Sequence, residues 1–133
     1  MPTHRIRARQ PHAGTHRPVG LMTATDRVAE FLEDAAHYPG GHATVVVFPR
    51  DEAQLARALQ EAVAVLPVGA QSSLTGGATP RGEVVLSLSQ LTAITDLGLT
   101  HVTAQPGVTL TSLRERLTDA GQAYPPVPPF EGA

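Results

Sequence analysis

Two short apolar runs bracket a helical repeat, and the second runs straight into a loop of glycines and hydroxyls. Thr44-Val-Val-Val-Phe48 is continuous, largely β-branched and closed by Pro49, the pattern of a buried strand. Asp51 is placed to cap a helix reaching to about Ala64, with Gln54 three residues on as an approximate capping box. Leu55, Ala58, Leu59, Ala62 and Val63 fall on one stripe of that helix. Val65-Leu-Pro-Val68 reads as the next strand. Strand, helix, strand in this order predicts a βαβ unit with a right-handed crossover.

The second strand opens onto Gly69-Ala-Gln-Ser-Ser-Leu-Thr-Gly-Gly77. Small side chains let an anion reach the backbone, successive N–H groups can form a concave nest, and Ser72, Ser73 and Thr75 add hydroxyl donors. Gly69, Gly76 and Gly77 permit positive φ. Two familiar phosphate loops are excluded. Gly76-Gly77 is followed by Ala78-Thr79-Pro80, so there is no Gly-Lys-Ser/Thr, and the glycine spacing does not fit the dinucleotide fingerprint. Pro80 and Gly82 lead into another strand, so no helix dipole stands behind the loop. Two readings remain at this level: an anion nest made of backbone and hydroxyls, or an ordinary strand–strand connection.

Beyond the loop, residues 83–88 form a third strand, with Leu91 and Ile94 plugging a turn beneath it. Residues 100–105 alternate, with Val102 and Ala104 on one face, and give a fourth strand broken by Pro106-Gly107. Thr109 or Thr111 caps a second helix, with Leu110, Leu113, Leu117 and Ala120 inward and Gly121 just past its end. Tyr124-Pro-Pro-Val-Pro-Pro129 runs extended, as a rigid edge of a cleft rather than a polyproline ligand. Before the first strand, residues 25–32 read as a short helix capped by Thr25 or Asp26, with Val28, Phe31 and Leu32 on one face.

Residues 1–21 stand apart. They carry Arg5, Arg7, Arg9 and Arg17 with three histidines, no acidic residue and no periodicity, which reads as a disordered arm preceding a domain at 22–133, with Met22 an alternative start. The other reading is a targeting or nucleic-acid segment. The chain as a whole has a net charge of −2, so no basic field recruits nucleic acid. No apolar run has membrane-spanning length and no signal peptide opens the chain, so a cytoplasmic location is expected. There is no cysteine, which removes disulfides, thiolate metal sites and a thiol nucleophile. All ten basic residues are arginine, which removes a Schiff-base lysine.

Other chemistry-bearing residues have plain readings. His37 and His42 lack a third ligand and belong to a solvated or cofactor-rim loop, so no metal site is expected. His101 starts a strand and faces solvent. Ser72 has no His–Asp arrangement around it in sequence. Glu33 and Asp34 read as a helix-end loop rather than an acid–base pair.

Four segments in register resemble a known family: Val45-Val-Val-Phe-Pro-Arg-Asp-Glu52, Pro67 through Gly77, Val84-Val-Leu-Ser-Leu88 with Leu91, and Thr103-Ala-Gln-Pro-Gly-Val-Thr-Leu110 with Tyr124-Pro-Pro126 and Pro128. They are similar to the N-terminal part of the FAD-binding domain of vanillyl-alcohol-oxidase / p-cresol-methylhydroxylase-type flavoproteins. Within that family they resemble the glycolate oxidase subunit and D-lactate dehydrogenase branch. The resemblance covers residues 26–133. It implies an α+β fold, here the first, truncated subdomain: βαβ followed by further strands and a helix. It implies that FAD lies between two subdomains, its pyrophosphate on Gly69, Gln71, Ser72, Ser73, Leu74, Thr75, Gly76 and Gly77, with Pro106, Gly107 and Pro128 nearer the flavin.

The chain departs from the family pattern at two loop positions. Gln71 stands for a usual Gly, restricting φ while offering an amide donor, and Val68 stands for a frequent Arg. No His lies between residues 68 and 77, so the resemblance implies non-covalent FAD. The family's catalytic residues lie in a cap domain beyond this chain, so no catalytic residue is assigned. The implied function is the FAD-binding portion of an oxidoreductase acting on a small 2-hydroxy acid, completed by a missing C-terminal portion or a partner subunit. The alternative is a stand-alone non-catalytic FAD- or partner-binding module.

Overall fold

The computed structural model describes residues 23–126. The Arg-rich arm at 1–21 and Pro128 lie outside the described residues. The described residues fold into a four-stranded, mostly parallel sheet, a separate two-stranded antiparallel sheet and two α-helices, an α+β fold.

The main sheet holds β1 (Thr23–Ala24), β2 (Val46–Val47), β3 (Val65–Val68) and β4 (Val84–Ser87), in the spatial order β1-β2-β4-β3. Strands β2, β4 and β3 are parallel, with Val46 opposite Val85 and Val68 opposite Ser87. β1 pairs antiparallel on β2. The strand–helix–strand order read in sequence is present, but β4 inserts between its two strands. β3 therefore lies at an edge, which accounts for Pro67 inside a strand: the missing N–H removes no ladder bond from a central position.

The apolar runs are continuous because both faces of the sheet are covered. Side chains alternate along a strand. Val45, Val47, Val84 and Leu86 pack with Ala58 on one face, while Val46, Phe48, Val68 and Val85 pack with Phe31 on the other. Phe31 meets Phe48 edge-on, with ring centroids 5.9 Å apart.

Helix α1 (Glu52–Glu61) supplies Ala58 to the first face. Asp51 Oδ1 accepts from the Gln54 N–H at 2.8 Å, as the sequence predicts. The Gln54 amide oxygen takes the Arg50 N–H instead of closing the box on Asp51. The helix stops at Glu61 rather than near Ala64, and Leu59 and Val63 of the expected stripe are exposed. Ala58 is its buried residue, with Leu55 and Ala62 partly buried against the same cluster.

Residues 25–32 shorten to a 3-10 helix, Val28–Phe31, with Arg27 at its N-cap and no side-chain cap. Neither Thr25 nor Asp26 caps it; an Arg27–Glu30 ion pair at 2.7 Å spans the turn.

Ile94 belongs to a strand that periodicity missed. β5 (Ile94–Leu97) pairs antiparallel with β6 (Val102–Ala104), and Leu91 alone plugs the turn, 1% exposed. Thr109 caps α2 (Leu110–Asp119), accepting from the Ser112 N–H at 3.2 Å. Leu113 and Leu117 are its buried positions. Gly121 takes φ +69°, with the Gln122 N–H donating to Leu117 O and the Gly121 N–H to Thr118 O, a Schellman stop. Among the described residues no helix is long and apolar enough to cross a membrane.

Candidate functional site

Parallel strands cannot be joined by a tight turn, so the chain from β3 to β4 must travel back along the sheet. Residues 69–83 make that return without a helix. The glycine- and hydroxyl-bearing loop is thus the first part of a crossover, leaving the sheet at the C-terminal end of β3. In open parallel sheets that end is where strands diverge and ligands settle.

The loop is held from beneath by residues 30–38. Asp34 is 4% exposed, and its Oδ2 accepts from the Gly76 N–H at 2.7 Å. Its Oδ1 accepts from the Ala36 N–H at 3.1 Å and the Tyr38 N–H at 3.4 Å. Ser73 is a further partner through its hydroxyl. Burial by itself would raise the Asp34 pKa; these hydrogen bonds to the ionised form outweigh it and hold the carboxyl below its ordinary value. Ser73 Oγ also accepts from the Gly77 N–H at 2.9 Å and the Thr75 N–H at 3.3 Å, which closes the loop on itself.

Gln71 adopts the left-handed φ of +54° that a glycine would take without strain. Its amide does not face outward. It donates to Glu30 O at 2.9 Å and Glu33 O at 3.0 Å, while its own carbonyl accepts from the Ala35 N–H at 2.9 Å. The side chain that departs from the family pattern thus stitches the loop to the preceding segment.

Of the three loop glycines, only Gly76 has positive φ, +80°. A Cβ there would lie 2.9 Å from the Tyr38 ring, so the ring floors the loop. The Arg81 guanidinium stands over the same ring, 5.3 Å from its centroid. A Cβ on Gly69 would meet nothing within 4 Å.

Other donors of the loop are not spent inside the protein. Ser72, Leu74 and Thr75 are exposed, Leu74 at 60%. Among the described residues the backbone N–H groups of Ser72, Ser73 and Leu74, and the hydroxyls of Ser72 and Thr75, have no protein acceptor. A left-handed residue next to right-handed or turn backbone can turn successive N–H groups towards one anion. Small side chains, free donors and an open backbone fit a diphosphate.

Gly107 is tied to the same edge by backbone bonds. The Leu88 N–H donates to Val68 O at 3.0 Å, the Leu91 N–H to Leu88 O at 3.0 Å, and the Gly107 N–H to Leu91 O at 2.8 Å. A Cβ on Gly107 would lie 2.3 Å from Leu88 O, so only glycine permits this approach. Pro106 instead lines a groove against α1 with Leu55, Leu59 and Ala104. At the end of β4, Ser87 Oγ and Ser89 Oγ are 3.0 Å apart, a buried-to-surface hydroxyl pair that the strand pattern did not single out.

The histidines do not converge. His37 pairs with Glu33 at 2.8 Å, His42 with the Gly40 carbonyl at 3.2 Å, and His101 with Asp96 at 2.9 Å. No group of three His, Asp or Glu among the described residues is arranged to hold a metal ion.

A parallel sheet with a helix-free loop of unspent donors at the C-terminal end of β3 is chemically suited to a phosphate-bearing cofactor. Residues 43–130 match the FAD binding domain family. The chain belongs to that family, and FAD is the cofactor such a domain binds. Two solved structures of an alkyldihydroxyacetonephosphate synthase, in two crystal forms, share the fold. One has a TM-score of 0.66 at 17% identity, covering 74% of this chain and 22% of the other. The second has a TM-score of 0.61 at 15% identity, covering 74% and 24%. The chain thus spans about a quarter of their length. Among curated proteins none matches the sequence.

Proposed function

We propose that this chain supplies the pyrophosphate-binding wall of a flavin-dependent oxidoreductase. The supporting observation is the exposed run Ser72–Leu74, whose N–H groups are left without protein acceptors while Asp34, Gln71 and Tyr38 fix the loop from below. In this reading Gly69, Gln71, Ser72, Ser73, Leu74, Thr75, Gly76 and Gly77 form the cradle. Outward N–H groups and hydroxyls touch phosphate, and Gln71, Ser73 Oγ and the Gly76 N–H shape the cradle from within. Gly107, Pro106 and Pro128 belong to a second edge nearer the flavin. With no His or Cys in the loop, FAD is held non-covalently.

The bound flavin supplies two-electron redox chemistry, and the protein supplies binding and orientation. The substrate class is a small 2-hydroxy acid, a reading supported by the four-segment resemblance to the glycolate oxidase subunit and D-lactate dehydrogenase branch. The remaining cofactor walls and the catalytic groups come from a further portion of the enzyme or a partner subunit.

Equilibrium dialysis of the 133-residue chain against FAD and against riboflavin tests the pyrophosphate reading, since riboflavin lacks both phosphates. FAD is retained weakly but more than riboflavin. Equal retention of the two would overturn it.

A further inference from the structure

The pyrophosphate loop is organised by a residue outside it. Asp34 is separated from Gly76 by 42 positions, yet its buried carboxylate takes the Gly76 N–H in the shortest of its backbone contacts. It also engages Ser73, the hydroxyl on which the Thr75 and Gly77 N–H groups converge. A negative charge placed directly beneath an anion site is electrostatically unfavourable to the ligand. Its position is reconciled with phosphate binding by what it does to the backbone. It draws the Gly76, and through Ser73 the Thr75 and Gly77, donors inward. The Ser72–Leu74 N–H groups are left without a partner among the described residues and follow directly on left-handed Gln71.

We propose that Asp34 is a positioning residue of the FAD site: it touches no cofactor atom, but by holding Gly76 and Ser73 it presets the loop with its free donors facing the pyrophosphate. The proposal rests on the reading that the loop binds FAD through that group. It adds a requirement from a segment, residues 33–38, that precedes the first strand of the parallel unit and lies outside the matched family region. Preorganisation of this kind acts on affinity because the loop need not be ordered at the moment of binding.

The test compares the wild-type chain with Asp34→Asn and Ser73→Ala. Equilibrium dialysis against FAD and riboflavin is combined with amide hydrogen exchange of the free proteins. Asn keeps the size of the side chain but turns one acceptor oxygen into a donor facing N–H groups. In the wild type the Gly76 amide exchanges slowly although its loop is at the surface. In Asp34→Asn that protection is lost while the amides of Val46, Val85 and Leu86 keep theirs, and the FAD dissociation constant rises by about tenfold, the effect of one lost charge-assisted hydrogen bond. A purely structural role would instead lower protection in loop and sheet together.

Unchanged FAD affinity in Asp34→Asn, or a Gly76 amide exchanging as fast as those of Ser72 and Leu74 in the wild type, overturns the proposal. If Asp34→Asn does not fold, Ser73→Ala decides: weaker FAD binding with an intact sheet supports it, and unchanged binding overturns it. No preference for FAD over riboflavin in the wild type overturns the pyrophosphate reading first, and the proposal with it.

Discussion

The Gly76 N–H lies 2.7 Å from Asp34 Oδ2, which places a buried carboxylate under the turn of the candidate cofactor loop. Gly76 is also the one loop glycine that needs its conformational freedom, with φ +80° and the Tyr38 ring against its Cα. These two facts make the loop a prebuilt surface rather than a slack connection.

Gly76→Val adds a β-branched side chain where φ is positive and the Tyr38 ring leaves 2.9 Å. The backbone term alone costs roughly 1–3 kcal/mol, and the clash with the ring adds to it. We expect a lower thermal midpoint and loss of FAD retention in dialysis. A variant with unchanged midpoint and unchanged retention would remove Gly76 from the site.

Gly69 and Gly107 make opposite predictions for one added methyl group. Gly69→Ala enters open space and shifts stability by less than about 0.5 kcal/mol. Gly107→Ala pushes a Cβ to 2.3 Å from Leu88 O and costs roughly 1–3 kcal/mol. Urea unfolding of the two variants checks the contrast, and equal stabilities would contradict the packing of Gly107 under β4.

Gln71 combines a left-handed backbone with two side-chain bonds to Glu30 O and Glu33 O. Gln71→Gly removes the bonds but relieves the backbone, whereas Gln71→Ala removes the bonds and keeps the strain. Ala is therefore the less stable of the two by about 1 kcal/mol. The reverse order in chemical unfolding would show that Gln71 leaves the left-handed region in solution.

Acid acts on the Asp34 brace with a definite sign. The carboxyl is held below its ordinary pKa in the folded chain, so its contribution is complete above that ordinary value and fades as pH falls through the lowered one. The gap in thermal midpoint between wild type and Asp34→Asn is then widest near neutral pH and narrows below about pH 4. A gap that does not change with pH would mean that the charge of Asp34 plays no part.

Much of this architecture was legible in the sequence because it rests on local signals. Asp51 and Thr109 cap the helices as their spacing requires, Gly121 stops α2, and Val45–Phe48 and Val84–Leu86 are buried as continuous apolar runs must be. What escaped was set by pairing at a distance. β5 exists because residues 94–97 find β6, and nothing in Ile94-Thr-Asp-Leu97 alternates strongly enough to announce it. The place of β4 between β2 and β3 is likewise a property of the sheet and not of any one strand.

The site divides in the same way. Glycines and hydroxyls marked the loop, and the absence of Lys and of a following helix narrowed its mode of binding. Asp34 read as a loop residue because its partners, Ser73 and Gly76, lie about forty positions away. The available signal was an acidic residue ahead of the first parallel strand with no Arg or Lys between it and that strand. The same holds for Gln71, whose partners at Glu30 and Glu33 no local pattern reveals.

Residues 69–77 are proposed to hold the pyrophosphate of FAD, and backbone amide chemical-shift mapping of the wild-type chain is the sharpest check on that assignment. On titration with FAD, the largest shifts should fall on Ser72, Ser73 and Leu74, inorganic pyrophosphate should move the same amides, and riboflavin should leave them in place. FAD shifts confined to other surfaces, with residues 69–77 unmoved, would place the pyrophosphate elsewhere.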